Sequence, residues 1–351
     1  MTQFVLGIGI IIIVAILLVL FRVQTLLSVA KGSDRKEGGG LNQTNGILFI
    51  LFLIVGFGLF FWYSTVYYDE YTLPIASEHG KETDNLFWIT MWVTGIVFFL
   101  THVLLFTFPW RFRFNKNNKA LFYPENNRLE MLWTIIPAIV LAVLVYNGWR
   151  TWSDIMAKAP EDAEVIEIIG YQYAFQSRYP GKDGQLGKQN YKLIDPATGN
   201  NFGLDFTDEQ AFDDFLPTEV HIPKGVPVEF KIRAHDVIHS VYVPEFRLQM
   251  NAVPGMTTRF WFEATKTTEE MRVETGDNEF DYYIVCNKIC GRAHFSMRHR
   301  IVVDEPEDYY AWKEEQKSLL STNPDLLGEI PSELKELALI KSGIKEDTST
   351  K

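Results

Sequence analysis

At 351 residues the chain is long enough for roughly two domains of about 150 residues each. Its formal net charge of −11 argues against nucleic acid as a partner and fits a basic protein partner. The 2 cysteines, Cys286 and Cys290, are too few for a secreted scaffold stapled by disulfides, so they make either one short-range disulfide or a metal site.

Residues 1–150 hold four uncharged apolar blocks, at 4–21, 46–64, 87–108 and 131–149. Each is close to the roughly 20 residues that a helix needs to cross a bilayer core. The first block shares its apolarity with signal peptides. However, Met1-Thr2-Gln3-Phe4 offers no Lys or Arg, and no small-residue cleavage site follows promptly, so the block is expected to stay as a span. Loop charges set the orientation. The first loop carries Arg22, Lys31, Arg35 and Lys36, and the loop at 109–130 carries Arg111, Arg113, Lys116, Lys119 and Arg128. Between them, 65–86 carries Asp69, Glu70, Glu78, Glu82 and Asp84 against Lys81 alone. By the positive-inside rule the basic loops are cytoplasmic and the acidic loop is outside. Four spans then leave the N-terminus and everything after Trp149 outside. Trp62, Tyr63, Tyr67, Tyr68, Trp110 and Trp149 fall near span ends, where interfacial aromatics belong. His102, inside the third block, is expected to bond to a neighbouring helix. Glu130 opens the fourth block, where the helix dipole favours a carboxylate.

From Glu164 to about Val303 the sequence turns to short apolar runs bounded by Gly, Pro, Asn and Asp. Strands are predicted at 165–169, 171–179, 219–222, 226–234, 239–243, 259–263, 282–285 and 300–303. Many short strands with turn signals read as an all-β sandwich or barrel. The stretch 181–216 has little periodicity and reads as a long surface insertion with an acidic patch at Asp205, Asp208, Glu209, Asp213 and Asp214. A short helix at 308–320 and a polar tail follow, with disorder expected at the last residues.

The run from Cys286 to Met297 places two thiols, the His294 imidazole and the Met297 thioether within one loop. Soft sulfur ligands with imidazole favour copper. A single blue-copper ion needs one Cys, two His and an axial Met, whereas two bridging cysteines with one His per metal would hold a pair. A further His must then come from elsewhere, and His221, His235, His239 and His299 are the candidates. His239 opens an apolar strand. In a cupredoxin sandwich one His comes from an early strand edge and the other ligands from one late loop, and His239 with the 286–297 loop has that arrangement. Two Cys and two His also make a zinc set, against which Met297 and the spacing to His239 speak.

Asp236-Val-Ile-His-Ser, Asn251-Ala-Val-Pro-Gly and Cys286-x-x-x-Cys-Gly-x-x-His-x-x-Met297 together resemble subunit II of haem–copper cytochrome c oxidases. Glu130-Met-Leu-Trp-Thr-Ile-Ile-Pro-Ala138 resembles the start of that family's second transmembrane helix, and 302–312 resembles its ending. The resemblance covers about 87–312. It implies N-terminal transmembrane α-helices followed by an all-β cupredoxin-like sandwich. The chain then divides into two extra helices at 1–65, a family-like hairpin at 66–150, the copper domain at 159–312 and a tail at 313–351. Cys286 and Cys290 would bridge the two coppers of the site called CuA. His239 and His294 would be terminal ligands, and Met297 and the backbone carbonyl of Lys288 weak ones. Electrons would arrive from a cytochrome c-type donor, mobile or in a supercomplex, and leave for haem in subunit I, where oxygen reduction and proton translocation occur. Subunit III is a further expected neighbour, with the two extra spans suited to contact an additional subunit. Glu130 would sit at a proton-uptake entrance. The implied location is a bacterial-type inner membrane, with the C-terminal domain on the periplasmic side. Quinol-oxidase subunits lack the copper ligands, and no Cys-x-x-Cys-His is present, so the donor is expected to be a separate protein.

Three positions depart from the family. Lys288 stands where Glu is usual and Asn251 where Asp is usual, which makes the family's Mg2+ doubtful here. Tyr173 stands where the family has the Trp that receives the electron, which puts the entry point in doubt and leaves Tyr173 as a docking aromatic and candidate for electron entry.

Overall fold

The computed structural model describes residues 2–31, 40–115 and 117–345. Arg35, Lys36 and Lys116, counted above as loop charges, and the 346–351 ending lie outside the described residues. The chain divides into two units, one of residues 1–72 and 89–141, the other of 73–88 and 142–351.

The helices before the β-domain are α1 (Thr2–Ala30), α2 (Gly40–Val66), the single turn α3 (Tyr68–Tyr71), α4 (Glu78–Arg111) and α5 (Asn127–Ile155). Three stretches, Asn42–Val66, Glu78–Arg111 and Asn127–Ile155, are long and apolar enough to cross a membrane. The expected first span is also a helix, but its apolar stretch among the described residues, Ile11–Leu27, is shorter. Long uncharged sequence forms helix here because a bilayer offers the backbone no water to bond. In the first unit α2 lies against α4 through phenylalanines. Phe57 meets Phe99 edge-on at 4.9 Å, Phe61 stacks on Phe99 at 5.2 Å, and Phe52 lies 5.1 Å from Phe106. Among the described residues His102 bonds within its own helix rather than to a neighbouring one. Its Nδ1 lies 2.8 Å from the Phe98 carbonyl one turn back on α4. At the start of α5, Asn126 Oδ1 accepts from the Leu129 N–H at 3.1 Å, and Glu130 Oε1 accepts from the Asn126 N–H at 3.3 Å. Glu130 thus caps its own helix, as its position predicts.

The second unit holds β1 (Glu164–Tyr171), β2 (Ala174–Arg178), β3 (Val220–Pro223), β4 (Pro227–Ala234), β5 (His239–Val243), β6 (Leu248–Ala252), β7 (Thr258–Glu263), α6 (Thr268–Thr275), β8 (Tyr282–Val285), β9 (Arg298–Asp304), α7 (Pro306–Glu315), α8 (Leu319–Thr322) and α9 (Lys335–Lys341). One sheet runs β2-β1-β4-β7 and the other β3-β9-β8-β5-β6. The sandwich expected from the strand pattern is thus present, with parallel pairings of β1 with β4 and of β3 with β9. In β4 alternate residues Val228, Phe230 and Ile232 enter the core, as period 2 requires. Phe246 stacks on Phe262 at 5.1 Å and meets Tyr282 at 4.8 Å to fill the middle. Three differences from the predicted elements stand out. β2 begins at Ala174, because Gln172 and Tyr173 form a turn. β6 and α6 were not predicted, and α6 carries a full capping box between Thr267 and Glu270. The helix predicted at 308–320 stops at Glu315, and α8 starts again at Leu319.

The largest correction concerns 181–216. Phe202, Leu204, Phe206, Ala211 and Phe212 are buried, and they share a second core with Ile169 of β1 and with Leu319, Leu320, Leu326, Ile330 and Ala338 of the C-terminal segment. Insertion and C-terminal segment therefore pack on one another. β1 explains the docking: Ile166 and Ile168 enter the main core, whereas Ile169 enters the second. Buried charge closes the seam. Glu167 pairs with both Arg178 and Arg233, and Arg178 also pairs with Asp214. Two cations balance two carboxylates, the condition under which ions tolerate burial. Asp214 is buried in this seam and Asp213 beside it is also buried, so neither is part of an acidic surface patch.

The segment 73–88 is also built into this unit. Ala76 is a main-core residue, Ser77 Oγ donates to the Phe246 carbonyl at 2.7 Å, and Arg247 clamps Asp84 through two bonds of 2.7 and 2.8 Å.

Candidate metal centre

His239 enters at the first residue of β5, and the other sulfur and imidazole groups come from the loop between β8 and β9. That loop is closed by backbone bonds. The Cys286 N–H donates to the Met297 carbonyl, His294 N–H to Gly291 and Met297 N–H to His294. These turns fold the donors inward. The donor atoms of His239, Cys286 and Cys290 all lie within 4.8 Å of one another. Cys290 Sγ is 3.9 Å from Cys286 Sγ, 3.6 Å from His294 Nδ1 and 3.9 Å from Met297 Sδ. Cys286 Sγ is 3.2 Å from the Lys288 carbonyl. All six sequence-predicted donors are thus brought together.

Both cysteines are free, and their separation is far beyond the roughly 2.05 Å of a disulfide. Burial, with Cys286 beside it, pushes the Cys290 thiol up to about 11. Two close thiolates are untenable there without a cation between them. His239 is buried, with its Nε2 2.8 Å from Asp236 Oδ1 and its Nδ1 without a hydrogen-bond partner. A buried imidazole nitrogen left unshared, backed by a carboxylate on the far nitrogen, is the arrangement of a metal-ligating histidine. Soft sulfur and imidazole donors suit copper, so the residues present fit the implied group.

The remaining histidines stay outside. His221 lies between Asp304 (2.6 Å) and Glu219 (3.2 Å) and stacks on Trp312 at 4.1 Å. His235 packs near Tyr171, and His299 faces Ser177 Oγ at 3.3 Å. The sequence reading missed two supports. Gln172 Nε2 donates to the Cys290 carbonyl at 2.6 Å, and Asp236 orients His239. The Asp236-x-x-His239 spacing was the available signal for the second. Tyr173, 36% exposed, accepts the Arg292 N–H on its hydroxyl at 3.1 Å. Gly291, at φ 138°, lies under this contact, and a Cβ there would collide with the Tyr173 hydroxyl. Glu130 lies in the other unit.

Fold and site together define a membrane-anchored cupredoxin-like protein with a sulfur-rich cluster of candidate metal ligands. Residues 68–150 match the family model described as cytochrome C oxidase subunit II, transmembrane domain, and 205–305 the one described as its periplasmic domain. The alternative cytochrome c oxidase subunit 2 of Bradyrhizobium diazoefficiens is 36% identical over 275 residues, covering 77% of this chain and 91% of its own. Cytochrome c oxidase subunit 2 of Cereibacter sphaeroides is 27% identical over 235 residues, covering 64% and 72%. Among solved structures, the periplasmic domain of cytochrome oxidase subunit II of Bradyrhizobium japonicum is 22% identical, covers 45% of this chain and 95% of its own, and superposes with a TM-score of 0.31. The chain belongs to the cytochrome c oxidase subunit II family. It is a subunit of a terminal oxidase and a membrane protein with a periplasmic C-terminal domain.

Proposed function

We propose that His239, Cys286, Cys290, His294, Met297 and the main-chain carbonyl of Lys288 hold two copper ions as the dinuclear CuA centre. The convergence of the 286–297 loop donors with His239 of β5 carries the reading. Cys286, Cys290, His239 and His294 would hold the pair, with Met297 and the Lys288 carbonyl as weaker ligands. When bound, the copper pair supplies one-electron transfer. Electrons come singly from a cytochrome c-type donor, mobile or held in a supercomplex, and pass to haem in subunit I, where oxygen is reduced and protons are translocated.

Tyr173 is the proposed point where electrons enter, since its partly exposed ring is tied by its hydroxyl to the metal loop. Glu130 is proposed at a proton-uptake entrance, at the capped start of α5. The topology proposed is four spans in a bacterial-type inner membrane, with both termini periplasmic and the two extra helices against a further subunit. Because Mg2+ prefers carboxylate and water oxygens, Lys288 and Asn251 supply it no anionic ligand, and no Mg2+ ligand is proposed from this chain.

Copper analysis and visible absorption of the purified oxidase test the metal assignment. Wild type is expected to hold two coppers at this subunit, Cys286→Ser or His294→Ala to lose them, and Lys288→Ala to keep both. A colourless, zinc-loaded or single-copper centre in the folded wild type would refute the dinuclear reading.

A further inference from the structure

The two halves of the candidate ligand set arrive on separate elements. His239 stands at the start of β5, and Cys290 and His294 stand on the loop that follows β8. The ladder between β5 and β8, at Tyr242 and Val285, lies further along β5 than His239. A third element spans the gap. β1 ends at Tyr171, and a turn at Gln172 and Tyr173 leads into β2. Gly170, just before the turn, packs against His239, where a Cβ would lie 3.3 Å from the ring carbon Cδ2. The Gln172 backbone N–H donates to Asp236 Oδ2 at 2.8 Å, and Asp236 Oδ1 lies 2.8 Å from His239 Nε2. The Gln172 side chain reaches the metal loop, where its Nε2 donates to the Cys290 carbonyl at 2.6 Å. Tyr173 adds a second bond to that loop by accepting the Arg292 N–H. Gly291, between Cys290 and Arg292, leaves no room for a side chain, since a Cβ there would lie 3.0 Å from Gln172 Nε2.

A continuous series of bonds therefore joins the cysteine loop to the histidine on β5. It runs from the Cys290 carbonyl through the Gln172 side chain and backbone to Asp236, and from Asp236 to His239. We propose that Gln172 is a positioning residue of the metal centre, a clasp that holds the Cys290 loop and the His239 arm in one register before any metal arrives. Its side-chain bond is to the Cys290 main chain and not to the sulfur, so it acts by position and supplies no ligand. Donors already held at the right separation need less ordering when they bind, and affinity rises without a new contact. Groups that orient ligands in this way are commonly as consequential as the ligands' own setting in the fold. This inference rests on the proposal that these donors hold copper.

The turn is exposed, so a substitution at Gln172 opens no cavity in either core. The test uses the complete oxidase complex with Gln172→Met, which matches glutamine in length and donates nothing, with Asp236→Ala, and with both together. Copper content, visible absorption and copper retention against a chelator are recorded for each. A wild type without copper overturns the metal reading, and this one with it. With copper present, Gln172→Met is expected to keep two coppers, to shift the visible band, and to hold the metal about 10- to 100-fold less tightly. Asp236→Ala should do at least as much, because it also frees the His239 ring. Links in series fail together, so the double variant should lose little beyond Asp236→Ala alone. A Gln172→Met centre that matches the wild type in band and retention overturns the proposal and leaves the copper reading intact. Losses that multiply in the double variant also overturn it, because the two residues would then be independent supports. Should Gln172→Met disturb the fold, seen as lost amide protection in β4 and β7, Gln172→Asn takes its place under the same outcomes, its shorter side chain falling short of the Cys290 carbonyl.

Discussion

Leu320→Ala tests whether the C-terminal segment and the 181–216 insertion form one cooperative lobe. Leu320 is fully buried, in a core with Phe202, Phe212, Leu326, Ile330 and Ala338. Truncating a buried leucine costs about 2–5 kcal/mol, the spread reflecting how far the cavity collapses. The second core is small and made of single apolar residues set among polar ones, so partial collapse is expected and about 3 kcal/mol is a fair centre. If the lobe opens as a unit, that loss raises amide exchange through its opening about a hundredfold, since about 1.4 kcal/mol is a factor of ten. Hydrogen exchange on the intact complex should then show faster labelling in both 202–212 and 319–338. Protection in β5 and β8, which belong to the main core, should hold, and so should the copper content. Faster exchange confined to 319–338 would mean that the insertion does not depend on the C-terminal segment, and the argument for a shared core would fail.

Arg247→Ala removes both bonds to Asp84, leaves that partly buried carboxylate unpaired, and is expected to cost about 1–3 kcal/mol. Proteolysis or exchange should find 73–88 loosened, and an unchanged segment would count against its role as a built-in strap. Burial raises the Glu245 carboxyl above its usual value, with its own backbone N–H and Arg247 only partly opposing the shift. Its contribution to stability is thus fully present below about pH 4.5 and is lost as pH rises through the higher folded value. Glu245→Gln should accordingly raise the melting temperature at pH 7 and give little gain near pH 4, and the reverse order would refute this. Asp236→Asn removes the carboxylate behind His239 and should weaken copper retention against a chelator about 10- to 100-fold while leaving the fold intact. Undiminished retention would show that Asp236 does not orient the ligand.

Much of this protein is legible in its sequence. The long uncharged blocks could only be helices, because length and the absence of charge decide the matter without reference to neighbours. The strands β4, β5 and β8 were placed within a residue, since a sheet with one buried face writes its period directly into the chain. The Cys286–Met297 run carried its chemistry in residue type and spacing. What sequence left open was set by contacts between distant segments. Four histidines were candidates to join the loop, and only the pairing of β5 within its sheet brings His239 to the cysteines. Gln172 reaches the Cys290 carbonyl across 118 positions, a contact that no local pattern encodes. The insertion looked like solvated loop because its one alternating run, Phe202, Leu204 and Phe206, is short and set among Gly, Asn and Asp. They are buried because irregular backbone can bring singly spaced side chains to one core once another segment supplies the opposite wall. That wall is the C-terminal segment with β1, and Asp214 is buried against Arg178 in the same step. Total charge is a sum over the chain and needs no fold, but which charges stand beside the candidate metal ligands is decided only when the loop closes and turns Lys288, Ile289, Arg292 and Phe295 outward.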